Sequence, residues 1–113
     1  MSADKKYKDF KSFYPYYLTE HSNAKNRMLH FTGTAILIAC LAAGIATGNW
    51  VLFAVIPVVG YGFAWVGHFF IEKNRPATFT YPMYSLASDF VMFWHILTGQ
   101  IDARLEEAKK KNN

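Results

Sequence analysis

The chain has 113 residues, of which 52% are hydrophobic and 18% are aromatic, with a formal net charge of +4. This length has room for one domain, so we expect a single membrane domain over residues 1–113. The single cysteine, Cys40, excludes a disulfide framework and a thiolate metal site.

The first predicted element is a short helix over residues 10–21, in which aromatic residues recur at helical spacing. These residues are Phe10, Phe13, Tyr14 and Tyr17. The segment is too short to span a bilayer, and tyrosine favours the membrane–water interface. We therefore predict an interfacial helix that bends near Pro15.

The central run between Arg27 and Glu72 contains no Asp, Glu, Lys or Arg. One transmembrane helix needs about 20 mostly apolar residues, so this run is long enough for two. Turn-forming residues cluster near its middle, at Thr47-Gly48-Asn49. We predict a transmembrane hairpin with helices over residues 24–47 and 50–73. A buried helical hairpin in a soluble protein is the alternative.

Basic residues flank this run on both sides. They are Lys5, Lys6, Lys8, Lys11, Lys25, Arg27, Lys73 and Arg75. Because basic residues mark the cytoplasmic side of a span, both ends of the hairpin are predicted to face the cytoplasm. The chain is thus expected to be a multi-pass integral protein of the cytoplasmic membrane. Its positive charge then needs no nucleic acid partner.

The last predicted element is a third helix over residues 81–108, apolar as far as Ile101 and then polar. A full crossing would place Arg104 on the far side, against the charge rule. The segment therefore either dips into the membrane and returns or packs obliquely on the hairpin. The predicted fold class is an all-α, integral membrane helical bundle.

Two histidines lie just inside the ends of the hairpin. At 1.5 Å per residue, His30 is roughly 4–5 Å beyond Arg27, and His68 is roughly 6 Å before Glu72. In an antiparallel pair of helices these imidazoles lie at one level, near the cytoplasmic face. Glu72 is four residues after His68 and shares its helix face.

His21 precedes His30 by nine residues, which places them on opposite faces of a continuous helix. They converge only if the chain breaks at Ser22-Asn23, where an N-cap is expected. We therefore predict a metal site of His21, His30, His68 and Glu72. These ligands suit iron, zinc, copper or manganese and disfavour an iron–sulfur cluster. The alternative is a set of interfacial, hydrogen-bonded histidines.

Two further polar residues lie in the third helix. His95 would be roughly 21 Å from the cytoplasmic face if that helix starts there, too deep to join the site. Asp89 is either a partner for a neighbouring helix or a group that supports a metal ligand.

Two motifs and four longer segments carry a family resemblance. The motifs are His21-x4-Asn26-x3-His30 and Gly67-His68-x3-Glu72-Lys73-x2-Pro76-Ala77, within the segments FYPYYLTEHSN, NRMLHFTGT, GYGFAWVGHFFIEKNRPATF and YPMYS. From about Phe10 to Phe93, the chain resembles bacterial-type members of the membrane family of 2-hydroxy fatty acid dioxygenases, formerly a domain of unknown function. His95 lies outside the motifs.

The resemblance implies an Fe(II)-dependent oxidoreductase of fatty acid α-oxidation, which shortens a 2-hydroxy fatty acid by one carbon with O₂ and releases CO₂. It implies that His21, His30 and His68 are catalytic and bind iron together with Glu72. On this basis Arg75 attracts the substrate carboxylate, or alternatively a lipid phosphate. Asn26, one turn before His30, is expected to orient a ligand imidazole.

Two other functions stay open at the level of sequence. His30 and His68 at equal depth could be the axial ligands of a haem in a small electron carrier. A non-enzymatic membrane assembly protein would carry merely interfacial histidines. The expected partners are a 2-hydroxy fatty acid, O₂ and membrane lipid, and the sequence leaves a homo-oligomer open.

Overall fold

The computed structural model describes residues 7–111, in which helices are joined by short turns and no strand occurs. The helices are α1 (Phe10–Thr19), α2 (Ala24–Thr47), α3 (Trp50–Ala54), α4 (Ile56–Val66), α5 (Pro82–Leu97) and α6 (Ile101–Lys111). A π-helical turn, Gly67–Glu72, continues α4, and a 3₁₀ turn, Ala77–Phe79, precedes α5. The all-α prediction is confirmed. Lys5 and Lys6, which were counted among the flanking basic residues, lie outside the described residues.

The first arm of the hairpin is α2, whose two ends are set by local chemistry. The Asn23 side chain accepts a hydrogen bond from the Lys25 N–H at 2.8 Å, which caps the first turn. Gly48 ends the helix in the left-handed region, at φ 70°. Close approach to the second arm depends on small residues: a Cβ added to Gly33 would lie 2.9 Å from the Phe63 Cβ.

The second arm is not one regular helix. It breaks at Val55, and Pro57 occupies the first turn of α4, where its missing N–H costs nothing. The arm then widens into the π-helical turn and ends at Lys73, whose φ is 58°. π-Helical turns are frequent at functional sites, and this one carries His68.

Both arms are long and apolar enough to cross a membrane, by length and composition. Few of their residues are buried inside the protein: 22% in the apolar window of α2 and 6% in that of Trp50–Glu72. Large apolar side chains at the surface include Ile45, Trp50, Val58 and Phe70. Such broad apolar exposure favours membrane association over a buried hairpin in a soluble protein.

The third predicted helix is interrupted in the structure. α5 has 16 residues, so it is about 24 Å long and shorter than the roughly 30 Å hydrocarbon core. Gly99, at φ 75°, then turns the chain, and α6 folds back against α1. The chain therefore doubles back, so Arg104 and the basic end of α6 do not continue along the α5 axis.

The buried core lies where α1, α5 and α6 meet, rather than along the hairpin. Its members are Phe13, Tyr17, Leu18, Ala77, Tyr81, Met92, Leu105 and Ala108. This packing fixes the end of α1 against α5, beside the open end of the hairpin where the α2 and α4 arms carry their histidines.

Candidate metal centre

Three histidines from three different parts of the chain meet at one point. His21 follows α1, His30 is in the second turn of α2, and His68 is in the π-helical turn. Their exposed fractions are 0%, 6% and 2%. One ring nitrogen from each lies within 4.8 Å of the other two, and the Nε2 atoms of His21 and His30 are 3.2 Å apart.

The break between α1 and α2 makes this meeting geometrically feasible. The His21 N–H donates to the Leu18 carbonyl at 3.0 Å, which closes a turn after α1. The Arg27 guanidinium donates to the carbonyl oxygens of His21 and Ser22, each at 2.8 Å. The turn therefore holds the His21 ring over the first turns of α2. The chain breaks at Ser22-Asn23, which is the condition under which His21 was predicted to reach His30.

Each of the three imidazoles presents its Nδ1 atom to an oxygen acceptor. His21 Nδ1 lies 2.7 Å from the Tyr17 carbonyl oxygen, and His68 Nδ1 lies 2.7 Å from Asn74 Oδ1. His30 Nδ1 lies 3.5 Å from Asp89 Oδ1. A carbonyl oxygen only accepts, so the bonds of His21 and His68 assign the ring proton of each to Nδ1. The Nε2 atoms of those two rings then carry lone pairs.

The hydrogen bonds of Asn74 and Tyr17 support this assignment. Asn74 Nδ2 donates to the Glu20 carbonyl at 3.1 Å, which fixes the amide orientation with Oδ1 toward His68. The Tyr17 hydroxyl donates to Asp89 Oδ1. Burial raises the pKa of Tyr17 well above its ordinary value, and the Asp89 charge raises it further, so this donor stays protonated.

The donor set fits a transition-metal ion. Three imidazole nitrogens within 4.8 Å of one another can bind one ion together. Burial lowers the pKa of His21 well below its ordinary value, and the neighbouring His30 and His68 lower it further. Neutral imidazole is the form that binds a metal. Nδ1–H bonds to a carboxylate or a carbonyl are the usual support of a metal-binding histidine.

Asp89 has the first of its two predicted roles, as a partner for neighbouring helices. It accepts from the Tyr17 hydroxyl and lies 3.5 Å from His30 Nδ1, and so joins α1, α2 and α5 behind the histidine cluster. A carboxylate in this position orients the imidazole and raises its basicity toward a metal.

Glu72, predicted as a fourth ligand, does not join the cluster. Its Oε1 accepts from the Asn23 backbone N–H at 2.6 Å, and its Oε2 lies 3.5 Å from Ser22 Oγ. The first N–H groups of α2 have no helical partners and carry the positive end of the helix dipole, so they attract the carboxylate. Glu72 binds the start of α2 instead of joining the three histidines.

The remaining predicted residues lie around the site rather than in it. Asn26 is fully buried against Gly67, and its Nδ2 lies 3.5 Å from Glu72 Oε1, so it packs the two arms together instead of orienting an imidazole. Arg75 is exposed, with its guanidinium carbon 5.0 Å from the centre of the Phe79 ring. His95 is apart from the cluster, as expected, with Nδ1 2.7 Å from the Tyr14 hydroxyl.

The comparison with known families decides the family of this chain. The sequence model of the family described as 2-hydroxy-palmitic acid dioxygenase Mpo1-like matches residues 7–101. The chain belongs to the Mpo1-like family. The resemblance seen in the sequence is thereby confirmed. No curated protein and no solved structure gave a significant match.

All three clustered histidines lie within the region matched to the Mpo1-like family, and they line a cavity of about 30 Å³. The polar end of the cavity includes the buried Tyr17 and Ser85 and the half-buried Asp89. Its apolar end includes Trp65 and Leu86, which are 37% and 45% exposed. The cavity thus runs from a polar, nitrogen-rich interior to an apolar surface between α4 and α5.

Two supporting residues of this Mpo1-like chain were not predicted. Tyr17 was interpreted only as an interfacial aromatic residue, although its place one turn before His21 was a usable signal. Asn74 has no predicted role in the sequence. Its role depends on the reversal at Lys73, which no spacing rule reveals.

Proposed function

We propose that this chain is an Fe(II)-dependent dioxygenase that shortens 2-hydroxy fatty acids by one carbon. The observation that carries the proposal is the convergence of three buried imidazoles on one cavity, in a chain of the Mpo1-like family. Three imidazoles without sulfur are a donor set that suits iron.

In this proposal His21, His30 and His68 hold the iron through Nε2. Bound iron supplies the redox chemistry with O₂. Glu72 is left out of the ligand set because its carboxylate bonds to the start of α2.

Residues of the chain itself orient these three donors and limit the access of water to the cavity. The Tyr17 carbonyl, Asp89 and Asn74 each fix one ring by its Nδ1–H, so that the Nε2 atoms are preorganised. The buried cavity admits about two water-sized groups, which limits competing hydrolysis and proton leakage.

The overall reaction balances without a further reductant. The acid R–CH(OH)–COOH and O₂ give R–COOH, CO₂ and H₂O, and the bond between C1 and C2 breaks. The two carbons lose four electrons in total, and O₂ accepts all four. O₂ is therefore the only oxidant that the proposed reaction needs.

The cavity's polarity supports an amphipathic substrate inside a membrane. We propose that both hairpin arms span the bilayer, with the histidine site near the cytoplasmic face and the acyl chain leaving past Trp65 and Leu86 into lipid. Arg75, next to the cavity-lining Pro76, would then attract either the substrate carboxylate or a lipid phosphate.

Metal analysis together with product analysis tests this function. Purified protein in lipid nanodiscs should contain one iron per chain. It should convert 2-hydroxyhexadecanoic acid and O₂ to pentadecanoic acid and CO₂ in equal amounts. Unsubstituted hexadecanoic acid is the control and should remain intact. Full activity in protein stripped of metal would overturn the proposal.

The haem alternative does not fit the dimensions of the site. The rings of His30 and His68 are 5.1 Å apart between centroids, and His21 lies 4.4 Å from each of them. The cavity of about 30 Å³ is far smaller than a porphyrin. A non-enzymatic assembly role predicts that replacing all three histidines leaves function intact, which the same assay checks.

A further inference from the structure

Helix α5 carries two buried serines whose hydroxyls lack a hydrogen-bond partner. Ser85 and Ser88 are 5% and 0% exposed, and neither Oγ atom bonds to any group in the described part of the chain. Hydroxyls in helices usually bond to the carbonyl four residues earlier. Thr47 and Thr98 do so in this chain, each at 2.7 Å. The two serines depart from that pattern.

An unpaired buried hydroxyl is costly, which makes it informative. Only one of these two serines lies on the cavity: Ser85 is among its lining residues, whereas Ser88 is not. Asp89, one turn after Ser85 and on the same face of α5, also lines the cavity and supports His30. The uncommitted hydroxyl therefore adjoins the proposed iron site.

The other buried polar side chains that line the cavity already have partners. The Nδ1 atoms of His21 and His68 bond to oxygen acceptors. His30 Nδ1 lies 3.5 Å from Asp89, and the Tyr17 hydroxyl donates to Asp89. A carboxylate that enters this cavity would meet the negative Asp89. The free Ser85 hydroxyl beside Asp89 can donate a charge-assisted hydrogen bond to that carboxylate and so offset the repulsion.

Resting on the proposed function, we propose that Ser85 binds the head group of the 2-hydroxy acid, with its hydroxyl donating to a carboxylate oxygen. The cavity of about 30 Å³ is too small for an acyl chain, so only polar atoms of the head group would reach Ser85. Ser85 is thus a substrate-positioning residue, and it takes no part in holding iron.

The test compares Ser85→Ala with Ser88→Ala, its matched control on the same helix. The readouts are iron per chain, KM and kcat, and the Kd of 2-hydroxyhexadecanoate for metal-free protein in nanodiscs. A hydrogen bond to a charged group predicts a rise of roughly tenfold in Kd and KM for Ser85→Ala. Iron content should stay unchanged. Ser88→Ala should match the wild type, and Ser85→Thr should recover most of the affinity.

Hexadecanoate, which lacks the 2-hydroxyl, distinguishes a contact with the carboxylate from a contact with the 2-hydroxyl. An equal loss of affinity for both acids supports contact with the carboxylate. A loss confined to the 2-hydroxy acid overturns that contact in favour of the 2-hydroxyl. An unchanged Kd in Ser85→Ala, or an equal rise in Ser88→Ala, overturns the role of Ser85.

The metal-free binding assay separates this inference from the proposed function. If the wild type shortens 2-hydroxy acids and Ser85→Ala behaves identically, only the Ser85 inference fails. If the wild type binds no iron, the dioxygenase proposal fails, while the Kd comparison still decides whether Ser85 holds the acid. Failure of the wild type to bind the acid overturns both.

Discussion

The Nε2 atoms of His21 and His30 lie 3.2 Å apart, although nine residues separate the two histidines. On one continuous helix they would point in opposite directions. The turn between α1 and α2 brings them together, and His68 adds a third ring nitrogen within 4.8 Å of both. This cluster is therefore the best place to test for a metal.

Replacing any one of the three clustered histidines by alanine should abolish stoichiometric metal binding, since two imidazoles in a cavity of this size leave the ion under-coordinated. Metal content by mass spectrometry measures this directly. His95→Ala is the control, because that imidazole bonds to Tyr14 and lies outside the cluster. Retention of a full iron equivalent in His68→Ala would contradict the proposed ligand set.

Asp89→Asn should weaken metal affinity by roughly 10–100-fold, as loss of a carboxylate behind a ligand histidine does. An amide is a poorer acceptor for the His30 Nδ1–H, and it loses the charge that favours metal binding. Competition with a chelator of known affinity gives the change in Kd. Asp102→Asn, an exposed carboxylate in the first turn of α6, is expected to behave as wild type.

Glu72→Gln should keep the metal and lower stability by about 0.5–1 kcal/mol, because the charge at the start of α2 is lost while an oxygen acceptor stays. The free energy of unfolding and the metal content are measured on one preparation. Loss of metal at unchanged stability would return Glu72 to the ligand set predicted from sequence.

Gly67→Ala should destabilise the protein by about 1–3 kcal/mol, since a Cβ at that position collides with the Asn26 side-chain oxygen. The strain falls next to His68, so metal affinity should drop as well. Gly62→Ala in the same arm meets no atom within 4 Å and serves as the control. Equal thermal stability of the two variants would refute the close packing of Asn26 on the π-helical turn.

Acid should destabilise the metal-free protein through His21. Its pKa lies well below the ordinary 6.5 in the folded state, chiefly because of burial, so between the two values the unfolded chain binds more protons. The contribution of neutral His21 to the free energy of unfolding is therefore complete above about pH 6.5, and it is lost as the pH falls below that value. Thermal unfolding between pH 7.5 and 5 should show a steeper loss for wild type than for His21→Gln. Parallel curves would exclude His21 as the source.

Much of this protein could be predicted from sequence because its strongest signals are local. The charge-free run, the Gly48 turn and the Asn23 cap determine the two arms, and α2 begins and ends at the residues that these signals predict. The antiparallel fold-back then brings His30 and His68 to one level. A break at Ser22-Asn23 was the only way for His21 to reach them.

The tertiary structure decided which groups support the histidines and which do not. Asp89 supports His30 only because α5 packs against α2, and Asn74 reaches His68 only because the chain reverses at Lys73. Glu72 shares a helix face with His68, but the unpaired N–H groups of α2 attract its carboxylate more strongly. Spacing along a helix gives the direction of a side chain, whereas its partner is chosen by the unsatisfied group that packing places beside it.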